Sequence, residues 1–186
     1  MLILCSGSET RAKLLKEAGI EFIQKSCDFD EESIKTNDPY EFVMQASYGK
    51  FKECLKCFED ENIVAADTVV SDGRKILRKA KDEIEARRIL LAQSGKNIKI
   101  ITSMWVRFDG RVFGRIDETV YEFEEFDEND LEEYLKSGEW RGKAGACMVE
   151  GFCKKYIKSV KGYESTAMGL CVEELLNIIG GKNANK

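Results

Sequence analysis

The amino-acid sequence predicts an α/β fold, because strand-like and helix-like patterns alternate along the chain. Residues 2–5 are a short apolar run bounded by serine and glycine, as in a buried strand. Residues 8–19 and 40–58 instead repeat apolar side chains at helical spacing. The composition, 43% hydrophobic and 34% charged, is that of a soluble globular protein. No internal repeat or low-complexity linker divides the sequence, so residues 1–186 are expected to form one domain.

The first third of the chain carries clear start and stop signals. Ser8 is a suitable N-cap for the first helix, and residues 20–26 then alternate as in a strand. An acidic loop at residues 28–32 follows. The only proline, Pro39, precedes the second helix, which is expected over residues 40–58.

The remaining elements are predicted from β-branched runs, turn signals and capping residues. They are a strand and a short returning strand within 61–77, a helix over 82–95, a hairpin with arms 97–107 and 111–124, and helices over 126–138 and 172–181. The segment 139–151 is rich in glycine and has neither helical nor strand periodicity, and the tail 182–186 is expected to fray.

Composition excludes several classes of function. The formal net charge of −5 argues against a protein that coats a nucleic acid polymer, because such binding needs a basic face. The chain has no histidine, which removes Ser-His-Asp triads and imidazole ligands. A metal would then be held by oxygen atoms, which favours Mg²⁺ or Mn²⁺. Neither a membrane span nor a secretory signal is recognisable, so a cytoplasmic protein without membrane partners is expected.

The seven cysteines do not suggest a disulfide framework, because their number is odd and their spacing is unpaired. Cys54 and Cys57 form a C-x-x-C within the second predicted helix. The sequence shows no second pair beside them and no histidine to complete a zinc shell, so ordinary helix thiols are the favoured interpretation.

A candidate anion site lies where the first strand runs into the first helix. Ser6, Gly7 and Ser8 would present free backbone N–H groups at the positive end of the helix dipole. Arg11, one turn into that helix, is able to add a bidentate phosphate contact. A plain strand-to-helix turn with a solvated arginine is the alternative.

Two carboxylates are candidates for metal binding or catalysis. Asp67 lies within the apolar run IVAADTVV, where a charge costs several kcal/mol unless it is paired, solvated or metal-bound. Its alternative is a cap at the wet end of the strand. Glu31 belongs to the acidic loop, whose neighbouring carboxylates are equally consistent with a solvated surface.

Three lysines extend the candidate site. Lys79 and Lys81 follow the returning strand, and Lys143 lies among small residues that let a ligand approach the backbone closely. Together with Arg11 they are candidates for a basic lining opposite Asp67, as a triphosphate–Mg²⁺ site requires. Each lysine taken alone is also consistent with an exposed solubilising charge.

In order, these segments resemble the Maf family of nucleotide pyrophosphatases. The matching stretches are SGSETRAKLLKEAGIEF, DFDEE, AADTVVSDGRKILRKAKDEIEARRIL, YLKSGEWRGKAGACMVEG and IKSVKGYESTAMGLCVEELL. The resemblance is collinear over nearly the whole chain. It implies an elongated twisted mixed sheet with flanking helices and two lobes around a central cleft, and in many members a homodimer.

The resemblance also implies chemistry and roles. Water would attack the α-phosphorus of a nucleoside triphosphate with Mg²⁺ or Mn²⁺, releasing pyrophosphate and a nucleoside monophosphate. Asp67 and Glu31 would hold the metal or orient the water. The substrate-binding set would be Ser6, Ser8, Arg11, Lys50, Lys79, Lys143 and Glu150.

The A-D-T-V-V and G-K-A-G-A forms resemble the members that act on dTTP and UTP, so pyrimidine triphosphates, including modified ones, are the expected substrates. Five positions depart from the family pattern: Thr10 replaces an arginine, Ala80 a proline, Ile98 a histidine, Cys147 a tyrosine and Glu150 a glutamine. The last adds a negative charge that bears on base recognition.

Three alternative functions remain open. The first is a nucleotide-binding regulator without catalysis, connected with septum formation and cell division as the family's name suggests. The second is a phosphatase that releases orthophosphate from the terminal position. The third is a thiol-dependent enzyme that uses Cys54 and Cys57.

Overall fold

The computed structural model describes residues 1–180 and confirms the α/β class. Its strands are β1 (Leu2–Cys5), β2 (Phe22–Lys25), β3 (Asn62–Ser71), β4 (Ile76–Leu77), β5 (Asn97–Phe108), β6 (Arg111–Phe123) and β7 (Ile157–Lys161). Its α-helices are α1 (Glu9–Glu17), α2 (Pro39–Cys57), α3 (Glu83–Leu91), α4 (Glu128–Ser137), α5 (Glu164–Ala167) and α6 (Val172–Gly180).

The strands form one mixed, open sheet in the order β2-β1-β3-β5-β6-β7, with β4 paired to β3. β1 is parallel to both of its neighbours. From β3 through β5 and β6 to β7, each strand is antiparallel to the next one in the sheet, and the β5–β6 hairpin is the longest pairing. The expected mixed sheet with flanking helices is therefore confirmed.

Two short strands pair with different parts of the same edge of β3, and a gap separates them. Pairing with β1 ends at Leu4 and Val64, and pairing with β4 begins at Val70 and Leu77. On its other edge β3 pairs with β5 without a break from Ile63 to Ser71. In the described chain, residues 65–69 therefore have no strand partner on the edge that faces away from β5.

Alternation along the strands divides the core between the two faces of the sheet. Leu4, Val64 and Ala66 pack with α1 and α6 on one face. Ile3 and Ala65 pack against α2 on the other. A further core lies around α3, α4 and the segment after α4, with fully buried Trp140. Because successive side chains of a strand point to opposite faces, β3 presents Asp67 toward α2 and Thr68 toward α1.

The helix boundaries follow the capping chemistry. Ser8 caps α1 as predicted, since its side chain accepts a hydrogen bond from the Arg11 N–H. Helix α2 begins one residue earlier than predicted, because Pro39 occupies N1, where its missing N–H costs nothing, and Asp38 is the N-cap. The acidic loop contains a 3-10 turn at Glu31–Ser33.

The sequence patterns did not predict β7 or α5. The side chains of β7 are almost all exposed, so no apolar alternation marks this edge strand. The expected fraying of residues 182–186 lies outside the described residues. None of the helices in the described chain combines the length and apolar character needed to cross a bilayer.

Gly49 of α2 lets the acidic loop pack against the helix. A Cβ at this position would overlap the ring of Phe29. Phe29 lies two residues before Glu31, so this contact seats the loop that carries the carboxylate. Glycine at this position therefore permits the contact with the loop, although alanine would stabilise the helix by about 1 kcal/mol.

We predict that the effect of Gly49→Ala on stability depends on Phe29. With Phe29 present, the new methyl group displaces the ring, and the gain in helix propensity is offset. In a Phe29→Ala background the same substitution raises the free energy of unfolding by about 1 kcal/mol. Urea unfolding of the four chains of this double-mutant cycle measures the difference. Equal effects of Gly49→Ala in both backgrounds would contradict the packing argument.

Candidate active site

A cavity of about 610 Å³ opens at the gap in the edge of β3. Its walls come from the start of α1, the acidic loop, α2, the middle of β3, the β4 segment and the glycine-rich stretch after α4. Eight of the nine residues to which the family resemblance assigns a role line it: Ser8, Arg11, Glu31, Lys50, Asp67, Lys79, Lys143 and Glu150. The ninth, Ser6, lies behind the wall and contacts Arg11.

Arg11 is held in place by three hydrogen bonds. Its Nε donates to the carbonyl of Gly169 at 2.7 Å, one terminal nitrogen donates to Ser6 Oγ at 3.1 Å, and the other to Thr68 Oγ1 at 3.2 Å. A guanidinium carries five N–H donors, so these bonds use three and leave two. The plane of the group is therefore fixed while donors remain for an anion in the cavity.

The Thr68 contact extends into a chain of hydroxyl groups. Thr68 Oγ1 lies 2.9 Å from Thr102 Oγ1, and Thr102 donates to the carbonyl of Thr166 at 2.7 Å. Because the Thr102 hydrogen is committed to that carbonyl, Thr68 is the donor to Thr102 and the acceptor for Arg11. The chain fixes the orientation of each hydroxyl and links α1 through β3 and β5 to α5.

Lys50 bridges the two candidate carboxylates. Its ammonium nitrogen lies 2.5 Å from Asp67 Oδ1 and 2.6 Å from Glu31 Oε1. Asp67 is buried, with 7% of its surface exposed, whereas Glu31 lies at the cavity rim. The alternative in which Asp67 caps a wet strand end is excluded, because the residue is in the middle of β3 with a cationic partner. Glu31 is distinguished from its acidic neighbours by the same partner.

Burial and the oppositely charged neighbours shift the pKa values of Asp67 and Arg11 in opposite directions. Burial raises the pKa of Asp67 and is opposed by Lys50; Glu31 raises it further. Burial also lowers the pKa of Arg11, although Asp67 and Glu31 act against this shift. The site thus holds a carboxylate that is more basic than usual beside an arginine that remains charged.

The other wall of the cavity is attached to the sheet by backbone contacts. Lys79 and Ala144 form an antiparallel bridge, and the N–H of Gly145 donates to the carbonyl of Leu77 at 2.9 Å. Gly145 has a φ of +66°, and a Cβ there would press on Val70 at 3.0 Å. Close approach of this segment to β3 therefore requires glycine. The bridge brings Lys79 and Lys143 to the same wall.

Comparisons with known proteins agree with this geometry. The family described as Maf-like protein matches residues 1–181. A protein of a Nitratiruptor species named nucleoside triphosphate pyrophosphatase is 57% identical over 181 residues, which cover 96% of this chain and 98% of the relative. Proteins with the same name from Helicobacter pylori (strain Shi470) and Campylobacter jejuni (strain RM1221) are 42% and 41% identical. These two matches cover 96% and 94% of this chain, and 94% and 98% of the relatives.

The chain belongs to the Maf family. The family resemblance inferred from the sequence is thereby confirmed.

The departures from the Maf pattern fall into two groups. Thr10, Cys147 and Glu150 line the cavity, so these substitutions change its surface. Ile98 is buried in the core, where an apolar side chain packs against its neighbours. Ala80 is half-buried beside that same core.

Sequence reasoning missed three residues of this Maf site. Thr68 and Gly169 hold Arg11, and Arg78 lines the cavity next to Lys79. Thr68 had a local signal, since it directly follows Asp67 in the apolar run. The role of Gly169 is a carbonyl contact across 158 positions of the chain, for which no local pattern exists. Lys81, by contrast, is not among the residues that line the cavity.

We predict that Lys50→Met destabilises the protein in a pH-dependent manner. Without the ammonium, burial and Glu31 raise the pKa of Asp67 further, so the folded state binds a proton more tightly than the unfolded state. The loss in the free energy of unfolding, about 1–3 kcal/mol, is then complete above the folded pKa and shrinks as pH falls toward the ordinary Asp value of about 3.9.

Urea unfolding between neutral and acidic pH measures this loss. Lys56→Met is the matched control, because Lys56 is exposed on the same helix and pairs only with Glu53 at its surface. A deficit in Lys50→Met that does not change with pH would show that Lys50 does not compensate Asp67.

Proposed function

We propose that this Maf protein hydrolyses a nucleoside triphosphate to a nucleoside monophosphate and pyrophosphate. The observation that carries the proposal is the cavity in which a buried aspartate, Asp67, faces a lining of cationic side chains. Attack of water on a polyphosphate requires that its charge be neutralised before a nucleophile approaches. The Nitratiruptor and Helicobacter pylori relatives, both named nucleoside triphosphate pyrophosphatase, agree with this reaction.

The proposal assigns the polyphosphate to the side of the cavity formed by the start of α1. Arg11 has two donors to spare after its three internal bonds, and a guanidinium fork suits phosphate oxygens. Ser8 stands at the N-terminus of α1, where N–H groups and the helix dipole favour an anion. Lys79 and Lys143 would contact the phosphates from the other wall.

The two carboxylates fit a divalent cation. Asp67 and Glu31 would hold the ion, and Lys50 contacts one oxygen of each carboxylate and leaves the other without this contact. Carboxylate oxygens without imidazole or thiolate groups suit Mg²⁺ or Mn²⁺. When bound, such an ion supplies charge neutralisation at the phosphates and lowers the pKa of a coordinated water.

Asp67 is the proposed general base or water-orienting group. Its burial raises the pKa of the carboxyl group, which makes the carboxylate a better proton acceptor than an exposed aspartate. Lys50 holds Asp67 and Glu31 in a fixed relation and stabilises the ionised form of Asp67. The cation, when present, would share this task.

Pyrimidine triphosphates, dTTP and UTP or their modified forms, are the proposed substrates. This choice rests on the A-D-T-V-V and G-K-A-G-A forms of the sequence. The cavity wall adds Glu150 beside apolar Val149 and Met168. A carboxylate accepts hydrogen bonds from N–H groups such as the N3–H of uracil or thymine, and apolar side chains pack on the ring.

The rival function is a nucleotide-binding regulator of septum formation that does not turn over its ligand. It would use the same cationic wall and the same cavity, so only the base Asp67 distinguishes the two. The homodimer, the cytoplasmic location and the link to cell division expected from the sequence stay predictions.

We predict that Asp67→Asn lowers the rate of pyrophosphate release by roughly 10²–10⁴-fold, the usual contribution of a positioned base. The amide oxygen is still able to accept a hydrogen bond from Lys50, so the fold is expected to remain intact. The reaction is run with Mg²⁺ or Mn²⁺ over canonical and modified triphosphates, and the products are identified by phosphorus NMR.

Asp60→Asn is the matched control, because Asp60 is an exposed carboxylate two residues before β3 and is not among the residues that line the cavity. Turnover unaffected by Asp67→Asn would remove the proposed base. Tight nucleotide binding by the wild-type protein without turnover of any triphosphate would favour the regulator, and release of orthophosphate with a nucleoside diphosphate would favour the phosphatase.

We predict that Glu150→Gln changes the preference among bases more than the rate of hydrolysis. A glutamine both donates and accepts hydrogen bonds, so selection for N–H donors weakens. Ratios of kcat/KM for UTP, dTTP and methylated GTP measure the change, expected to be about 10-fold. Glu139→Gln, in the same segment but outside the cavity lining, should leave the ratios unchanged.

A further inference from the structure

Three cysteine side chains from separate parts of the sequence meet on the α2 face of the sheet. The Sγ atoms of Cys5, Cys27 and Cys54 all lie within 4.8 Å of one another. Cys5 and Cys54 are fully buried, and Cys27 is partly buried. No disulfide joins them. Among the described residues, these three cysteines form the group of possible metal ligands whose donor atoms lie close enough together to hold one ion.

The topology explains how these residues come together. Cys5 is the last residue of β1, and Cys27 follows β2 by two positions. The two strands are parallel and adjacent, with Cys5 opposite Lys25, so their carboxyl ends share one edge of the sheet. Helix α2 crosses this edge and contributes Cys54 from its next-to-last turn.

A fourth cysteine lies close by at the end of the helix. Cys57 is three residues after Cys54, so both side chains lie on the same side of α2. Its sulfur atom is not one of the three that lie within 4.8 Å of one another, so it would have to turn toward them to complete a site of four ligands. Cys57 is exposed and stands in the last residue of the helix, where a side chain is free to turn inward. The sequence showed no further ligands near the C-x-x-C, but the fold brings Cys5 and Cys27 close to Cys54.

We propose that four thiolates bind one Zn²⁺ ion in this protein: Cys5, Cys27, Cys54 and Cys57. Four thiolates in a tetrahedron with Zn–S distances of about 2.3 Å place the sulfur atoms about 3.8 Å apart. The three sulfur atoms within 4.8 Å need only a small contraction to reach this geometry. Thiolates select zinc over magnesium, and a C-x-x-C is the usual spacing of one ligand pair.

Ion binding has a defined proton balance. Four Cys–SH groups and one Zn²⁺ give the tetrathiolate complex and four protons, which are released to solvent. The C-terminal end of α2 adds a partial negative charge that favours a cation at this position.

The ion would join three segments that also carry the proposed active-site residues. Ser6 follows Cys5 directly, Glu31 lies four residues after Cys27, and Lys50 lies one helical turn before Cys54. A bound Zn²⁺ would therefore fix the spacing of these segments without touching the substrate. The inference does not depend on the proposed reaction, because thiolates and not the carboxylates Glu31 and Asp67 carry it.

Metal content and cobalt spectroscopy test the site in the full-length protein. Purified protein from zinc-supplemented cells is expected to contain one zinc per chain by mass spectrometry. After removal of zinc, added Co²⁺ should give a thiolate-to-cobalt charge-transfer band and the strong visible bands of tetrahedral coordination. Co²⁺ held by carboxylates at Asp67 gives no charge-transfer band from sulfur, so the two sites are distinguished.

Substitutions assign the ligands. Cys27→Ser and Cys57→Ser should each weaken or abolish the charge-transfer band, and Cys57→Ser changes only an exposed side chain. Cys153→Ser is the matched control, because Cys153 is a buried thiol in a different core cluster. In the wild-type protein, free Zn²⁺ at a hundredfold excess over its Kd should raise Tm by roughly 5–10 °C. In Cys27→Ser this rise should disappear.

Three results would overturn the proposal. One is the absence of a sulfur-to-cobalt band in the reduced wild-type protein. Another is a band of unchanged strength in both Cys27→Ser and Cys57→Ser. The third is a disulfide that includes Cys5, Cys27, Cys54 or Cys57, found by peptide mapping of the denatured, unreduced, metal-free protein.

Discussion

The unpaired stretch of β3 between β1 and β4 is the constraint on which the site depends. Side chains of a strand alternate between its two faces, so a cleft on one face would reach only every second residue. Where the neighbouring strand is missing, the cavity extends around the edge and reaches both Asp67 and Thr68. Asp67 meets Lys50 from α2 on one side, and Thr68 meets Arg11 from α1 on the other. Two consecutive residues of one strand thereby contact the carboxylate–lysine group and the arginine that is proposed to bind phosphate.

Much of the fold could be predicted because its signals are local. Ser8 is a cap, Pro39 opens a helix, and the β5–β6 hairpin turns where its sequence has Asp-Gly. Asp67 was also visible, since a charge in an apolar strand requires a partner. The place of Glu31 beside Lys50 could not be derived from the residue pattern alone, because several carboxylates of the acidic loop are alike in sequence. In the fold, Phe29 packs on Gly49 and Glu31 contacts Lys50. Contacts across the chain, such as Gly169 with Arg11 or Cys5 with Cys54, leave no periodic trace.

The hydroxyl chain from Arg11 through Thr68 and Thr102 to the backbone of α5 gives the site its rigidity. Each of the two threonine hydroxyls accepts one hydrogen bond and donates one, so reversing the bond between them would leave a buried group unpaired. Lys50 orients the two carboxylates in the same way, and it opposes the rise in the pKa of Asp67 that burial causes. Both arrangements fix the proposed catalytic groups before a ligand arrives, which is the condition for electrostatic stabilisation of a transition state.

The backbone bridge between Lys79 and Ala144 joins the central sheet to the glycine-rich segment, and both parts line the cavity. Asp67, Arg11 and Lys50 belong to β3, α1 and α2, which are built into the central sheet and its faces, whereas Lys79 and Lys143, the other proposed phosphate contacts, lie at or beside the bridge. Glu150 and Cys147 belong to a glycine-rich segment that meets the sheet through that bridge and the Gly145 amide. Replacements of Cys147 or Glu150 would alter the surface proposed to face a base without moving Asp67, Arg11 or Lys50. The contacts to the base and the proposed hydrolytic groups would therefore be free to change independently of each other.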